Sequence, residues 1–406
     1  MTRVLCFVLF GSFILYPVSR GVASELLSEA EYLAAFSSTH PASRALDERL
    51  GAMRGEVRRA RALENPILGV ERETPSDDRE QVTWALTWTP PLDGRRGLQK
   101  SAAVAGVDAA TLDREWSFAE LRAELREAYA SWALDTEREA VVSGQIERLQ
   151  RIGNAAQERA RAGEESGLAA RRLSLAILEV EALAATIDAE RIESRDVALG
   201  WMGRPELDAT PVRPPLPESP STIDPAEHAS VAARRAEVRQ AELESRLAGR
   251  FLRFPELTAG WQHVQEPEFD SSGLIVAGSW PLPLFDRQQG DRIAAESRLT
   301  VAKARLDIET HRVASRIAGA HAAYARLRDA AIGAMDSVAA ADRITEAAAA
   351  RFEAGESDAT DLLETMRSVL SARMAAIDLY EEALATHRKL ELLTTRSSSS
   401  VDGGER

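Results

Sequence analysis

Cysteine is almost missing from this chain. The sole one, Cys6, lies in an apolar N-terminal stretch, so no intrachain disulfide can form. Aromatic residues are only 5% of the 406, which argues against the two or three globular domains that such a length would usually mean. Basic residues are outnumbered: 50 Lys and Arg face 64 Asp and Glu, a formal charge of -14, leaving no basic footprint for nucleic acid. No segment after the N-terminus has the 18 or more apolar residues of a membrane helix.

Recognisable chemistry is lacking too. The six histidines, His40, His228, His263, His311, His321 and His387, show no ligand spacing, and no HExxH occurs. Glycines such as Gly94 and Gly97 are not followed by the Lys-Ser/Thr of a phosphate loop. No Ser, His and Asp group into a triad. The expectation is a non-enzyme with no cofactor and no metal site, and a secreted hydrolase is set aside for want of a site.

What is present begins with an export signal. Arg3 precedes an apolar run from Val4 to Tyr16, and Gly21-Val22-Ala23-Ser24 offers small residues for cleavage, so residues 1–24 read as a signal peptide. Cleavage would remove Arg3, Arg20 and Cys6, taking the charge to about -16 and leaving a mature chain without cysteine. The remainder is rich in Ala, Glu, Arg and Leu, the mixture of long helices.

The chain is organised around Arg351 to Glu364, RFEAGESDATDLLE, a short polar turn between two long proline-free helical segments. Gly355 suits the left-handed end of one helix, and Ser357 or Asp358 can cap the next. Residues 159–168, RARAGEESGL, repeat this turn: at one offset of 192, Gly163 aligns with Gly355, Arg159 with Arg351, Ala162 with Ala354 and Glu164 with Glu356. Two copies of one unit follow.

The first repeat, 25–202, has helix over 26–63 with a break near His40-Pro41, a β-hairpin at about 67–90, a helix over 97–161, a tip near 163–168 and a helix over 168–201. Gly144 and Gly153 mark a bend or a close helix contact. Residues 203–225 hold seven prolines and read as a linker. The second repeat, 226–393, has helix 226–249, a hairpin at about 257–281, a proline-free helix over 291–354, a tip near 355–360 and a last helix; 394–406 reads as a disordered tail.

The strands alternate. In Val82 to Trp88 the large apolar residues fall on even positions, and Leu257, Ala259 and Trp261 alternate with Thr258, Gly260 and Gln262. Four strands are too few to close a barrel, and open edges are not left in lipid. If the hairpins are embedded in a membrane, several chains must pool them, with Trp84, Leu86, Trp88, Leu274, Val276 and Trp280 toward lipid and Thr, Ala and Ser279 toward the lumen. The other reading open at this point is a small soluble β-subdomain.

Pro283-Leu284-Phe285-Asp286-Arg287-Gln288-Gln289-Gly290 before a long helix resembles the corresponding stretch of the outer membrane factors, the TolC-like channels of tripartite efflux systems. Arg351-Phe352-x-x-Gly355 with Asp361-Leu362-Leu363 resembles a second signature of that family, and the similarity is greatest to the branch serving heavy-metal cation exporters. It spans about residues 26–395. It implies a mainly α fold with a small β part: a duplicated unit in a homotrimeric α-helical tunnel topped by a shared 12-stranded transmembrane barrel. It also implies outer-membrane lipid, a periplasmic adaptor protein and an inner-membrane RND-type pump as partners, with the chain as a passive duct for heavy-metal cations in the outer membrane of a Gram-negative cell.

The resemblance assigns roles to residues as well. Asp361 and Glu364, three apart on one helix face, match acidic positions that narrow the periplasmic mouth; the plainer alternative is a pair of solvated helix-start carboxylates. Gly163, Glu164, Glu165 and Ser166, with Gly355, Glu356, Ser357 and Asp358, match the adaptor-contacting tips. The first tip is unusually acidic, and Ala160 stands where the second copy has Phe352. The rival reading is a periplasmic coiled-coil adaptor or scaffold, against which the duplicated hairpin counts.

Overall fold

The computed structural model describes residues 25–36, 40–74, 80–163, 167–250, 254–266 and 269–396. The signal segment, Glu164, Glu165 and Ser166 of the first tip, and the last ten residues lie outside them.

The chain starts with β1 (Glu25–Leu27), α1 (Glu29–Ala35) and α2 (Pro41–Arg61). Ser28 opens α1 with a capping box, its hydroxyl accepting from the Glu31 amide while Glu31 reaches back to the Ser28 amide. There follow β2 (Ile67–Glu73), β3 (Glu80–Trp88), α3 (Arg95–Ala162), α4 (Gly167–Met202), β4 (Ala209–Pro211), a 3₁₀ turn at Pro225–Glu227, and α5 (Ala229–Ala248). The second hairpin is β5 (Glu256–Glu266) and β6 (Phe269–Ser279), and α6 (Gln289–Ala339), α7 (Ala341–Glu353) and α8 (Ala359–Leu393) complete the described chain. The fold is mainly helical with few strands, as expected.

Four features differ from the sequence reading. The proline-rich linker is not featureless, because β4 pairs in parallel with β1, a strand placed where helix was expected. The Tyr129 hydroxyl clasps this pair, donating toward the Leu27 and Val212 carbonyls and accepting from the Val212 amide at 3.0 Å. The helix expected over 291–354 is interrupted at Ala340, with neither proline nor glycine there. The tail expected to be disordered from 394 is placed as far as Arg396, where an isolated bridge to His228 and the bond from the Ala229 amide to the Thr395 carbonyl tie it to the start of α5.

The apolar cores lie between helices rather than beneath the sheet. One joins both hairpins near their tips: Val142, Leu149, Ile152 and Ala156 of α3, Leu173 and Val180 of α4, Phe352 of α7, and Leu362, Leu363 and Met366 of α8. Gly153 lets α4 approach here, since a Cβ at that position would lie 3.3 Å from the Ile177 Cδ1 atom. Gly144 has no neighbour within 4 Å of its would-be Cβ. A second core, Tyr32, Leu125, Tyr129, Trp132 and Leu199, sits under the β1–β4 pair.

Candidate channel-forming surfaces

The sheet carries the first candidate surface. Its order is β2-β3-β5-β6, all antiparallel, so the two repeats meet at the β3–β5 seam. Directly paired residues share a face. One face therefore stacks Val70, Trp84, Trp261 and Leu274, then Leu68, Leu86, Ala259 and Val276, then Trp88, Leu257 and Gly278. The other stacks Gly69, Ala85, Gly260 and Ile275, then Ile67, Thr87, Thr258 and Ala277, then Glu71, Thr83, Gln262 and Gly273. Apart from Ile67 and Ile275 this second face is small or polar, and the Thr87 and Thr258 hydroxyls hydrogen-bond across the seam at 3.0 Å.

The large apolar side chains are not covered. Trp84 is 50% exposed and Val276 77%, and Leu68, Val70, Leu257, Trp261 and Leu274 are exposed as well. Contiguous apolar area of this kind marks a surface that meets something other than water. Five of the six residues expected on the apolar face fall in these three rows; Trp280 lies just past the last ladder pair. Leu257 and Trp261, whose alternation the sequence shows without assigning them a face, lie there too, as do Leu68 and Val70, which the sequence reading did not single out. Their signal was the alternation itself, whose parity is set by each strand's pairing: even in β2, β3 and β6 but odd in β5.

The seam depends on close backbone approach. A Cβ on Gly260 would stand 2.5 Å from the Trp84 carbonyl oxygen of the facing strand. At the foot of the sheet the repeats are also cross-tied: the Arg95 guanidinium bonds the Arg250 carbonyl and reaches Gln288 Oε1 at 3.4 Å, while Arg250 donates to the Asp93 carbonyl at 2.9 Å.

The hairpin tips form the second surface. Gly163 ends α3 at φ +80°, and Gly355 ends the α7 turn at φ +75°, both in the left-handed region that favours glycine. The Glu356 amide closes the second turn on the Arg351 carbonyl at 2.9 Å. Asp358 caps α8, accepting from the Asp361 amide at 2.9 Å and the Thr360 amide at 2.8 Å. These two N–H groups, the Asp361 amide foremost, hold its carboxyl below the usual range. Of the signature Asp361-Leu362-Leu363, the leucines are buried in the core shared with Phe352, while Asp361 and Glu364 are exposed.

Ionic contacts bind the two hairpins. Arg172 of α4 donates to the Thr360 hydroxyl at 2.6 Å, and Arg367 of α8 meets Glu179 of α4 at 2.5 Å. Asp342, in the first turn of α7, receives both Arg148 of α3 and Arg373 of α8, each at 2.6 Å. Those guanidiniums, Arg373 first, hold its carboxyl low. Among the described residues no three His, Cys, Asp or Glu side chains gather as a metal site, and no helix is long and apolar enough to cross a membrane.

Residues 226–396 match the family model described as outer membrane efflux protein. Over 377 residues the chain is 26% identical to the cobalt-zinc-cadmium resistance protein CzcC of Cupriavidus metallidurans, covering 87% of this chain and 86% of the relative. By sequence the chain is thus similar to the outer membrane efflux protein family, over its second repeat in the family model and over most of its length in this relative. Its fold agrees: a CusC structure superposes with a TM-score of 0.75 at 14% identity, over 91% of this chain and 92% of that one. The outer membrane protein VceC of Vibrio cholerae superposes at 0.70 and 17% identity, over 91% and 96%. The family is one of channels rather than of enzymes.

Proposed function

We propose that this protein is the outer-membrane duct of a tripartite efflux system, assembled as a homotrimer and passing heavy-metal cations outward. One observation carries the reading. The chain folds a four-stranded sheet with an exposed apolar face, a small and polar face, and two edges, β2 and β6, that have no strand partner among the described residues. Unpaired edges cannot be left in hydrocarbon, so β6 of one copy pairs with β2 of the next, and three copies close a 12-stranded barrel. Three of the four strand lengths suit this: β3 has nine residues and β5 and β6 eleven, against about 9–11 for a tilted membrane strand, while β2 is shorter at seven. The polar face then lines the lumen.

The helical hairpins extend into the periplasm. Continuous α3 has 68 residues, roughly 100 Å at about 1.5 Å per residue. Their tips, with Gly163, Gly355, Glu356, Ser357 and Asp358, meet an adaptor that links the duct to an inner-membrane RND-type pump, and Glu164, Glu165 and Ser166 belong to the same contact by sequence. Asp361 and Glu364 of three copies ring the inner mouth and favour cations over anions. Metal as cargo follows from the similarity to the cobalt-zinc-cadmium resistance protein.

Two measurements test this. Fractionated cells should yield the chain as an outer-membrane trimer in unheated gel electrophoresis; a soluble periplasmic monomer would sink the reading. Replacing Asp361 and Glu364 with alanine should raise single-channel conductance in planar bilayers and weaken block by multivalent cations. If both values stay the same, the two carboxylates are not at the mouth.

A further inference from the structure

One stretch of α3 is flanked by two cavities and a buried cation that a duct does not use. Between residues 115 and 126 the helix presents Glu115, Phe118, Arg122 and Arg126, at spacings of three, four and four, on one face. On one flank α8 packs against this face and leaves a cavity of about 280 Å³, completed by Arg388, Glu391, Leu392 and Thr395. On the other flank α1 leaves a second cavity of about 340 Å³, lined by Leu33, Phe36, Leu121 and Leu125 with the small Ala30 and Ala34. Phe118 and Arg122 line both, so the two compartments adjoin across α3. Arg126 ties the three helices together, pairing with Glu29 at 2.7 Å and with Glu391.

The compartments differ in chemistry. The first holds three arginines against two carboxylates, Glu115 and Glu391. Arg126 and Glu391 satisfy one another. Arg388 is only 8% exposed, yet among the described residues its guanidinium has neither a hydrogen bond nor an ion pair. Burial lowers its pKa from the ordinary value; Glu127 opposes this at longer range, and Arg126 adds to it. A guanidinium nonetheless stays charged, and it presents five N–H donors in a planar fork matched to a carboxylate. Leaving such a charge buried and unpaired is costly, so an acceptor entering the cavity gains what no side chain supplies. Arg122, exposed on the shared rim, has no ion pair among the described residues either.

The second compartment is otherwise alkyl and aromatic, with Arg122 its only charged lining residue. A cationic chamber joined to an apolar one is the shape of a site for a molecule with a charged head and a hydrocarbon tail. Three cations against two carboxylates leave one positive charge, which matches a single carboxylate better than a doubly charged phosphate. The tail chamber lies near the lower end of the range of small-molecule sites, about 300–1,000 Å³, which favours a medium-length chain.

We propose that this groove binds a singly charged amphiphile of the fatty-acid class. The carboxylate enters the chamber between α3 and α8 and accepts from Arg388 and Arg122, while the alkyl chain crosses Phe118 into the chamber between α1 and α3. The site is complete within one chain and stands whether or not the chain forms a duct.

The test measures uptake of radiolabelled decanoate by equilibrium dialysis, with the full chain in dodecyl maltoside and protein-free micelles as the blank. Saturable binding near one decanoate per chain is expected. Decanol, which lacks the charge, and acetate, which lacks the tail, should each bind at least about ten-fold more weakly. Arg388→Gln should weaken decanoate at least about ten-fold and leave decanol unchanged. Ala34→Trp, at an exposed position of α1, fills the tail chamber and should weaken decanoate while acetate holds. Thermal melts followed by circular dichroism establish that each variant is folded; if Arg388→Gln is not, Arg122→Gln and Ala34→Trp decide. No uptake above the blank overturns the site, as does a folded Arg388→Gln that binds like the wild type. Tighter binding of decyl phosphate than of decanoate overturns the single-charge assignment. Residues 397–406 follow closely on Thr395, and a chain stopped at Arg396 should bind decanoate no better than the full chain. A several-fold gain would make that segment the occupant in place of the amphiphile. The duct reading is untouched by any of these outcomes.

Discussion

The two repeats share a plan and differ where load is placed on them. In the first, α3 runs unbroken from the sheet to the tip, and its last turn carries the half-buried Ala160. In the second, the same distance is covered by α6 and α7 with an interruption at Ala340, and the matching last turn carries the buried Phe352. Arg148 occupies the position in α3 that Ala340 occupies in the second repeat, and it reaches across to Asp342 just after the break. One repeat therefore supplies a rigid strut, and the other a jointed arm pinned to it by apolar burial and by Arg148, with Arg373 of its own last helix closing on the same carboxylate. Duplication alone would have made the copies alike; the substitutions at 148/340 and 160/352 made them complementary.

The sharpest way to break this comparison is at the pin. Phe352→Ala should cost about 3–5 kcal/mol as a buried aromatic truncated in a packed core, read as a shift in denaturant midpoint. Ala160→Gly at the equivalent place should cost only about 1 kcal/mol of helix propensity. Equal losses would mean that the tips are held alike. At the seam, Gly260→Ala forces a Cβ against a facing backbone oxygen and should destabilise by about 1–3 kcal/mol. Gly273→Ala, with open space around its Cβ, should be tolerated in the same assay.

Where the repeats are alike, the effects should match. Gly163→Ala and Gly355→Ala each place a side chain in a left-handed conformation and should each cost about 1–2 kcal/mol. A large inequality would show that one tip can relax its turn. The smallest effect concerns the pinned joint. The Asp342 carboxyl is held low, so its contribution is complete above the unfolded value near 4 and is lost as pH falls through the folded value. Asp342→Asn should lower the melting temperature by an amount equivalent to less than about 1 kcal/mol near neutrality, because the carboxylate is nearly half exposed and screened. The difference should vanish in acid; a pH-independent one would place the effect elsewhere.

Much of this was legible in the residues because it rests on local rules. Period two marked the strands, Gly163 and Gly355 marked the tips, and one offset aligned the copies. What escaped depends on partners distant in the chain. β1 and β4 are three residues each, too short for any period to show, and exist because Tyr129 and the core below give their backbone a place to pair. The break at Ala340 has no proline or glycine to announce it; the ion pairs of Asp342 reach it from other helices. The burial of Leu362 and Leu363 is visible only once both hairpins are together, whereas the exposure of Asp361 and Glu364 follows from the face opposite.

The β3–β5 seam has one further consequence, for how such a molecule is made. Covalent linkage guarantees that these two strands find each other, at whatever dilution the chain is synthesised. The equivalent join between copies would have no such guarantee, and until it formed each newly exported chain would carry two adhesive strand edges and an uncovered apolar sheet through an aqueous compartment. On the duct reading, the sheet therefore needs covering from export until insertion, because its open edges and apolar face favour pairing with whatever chain is nearest.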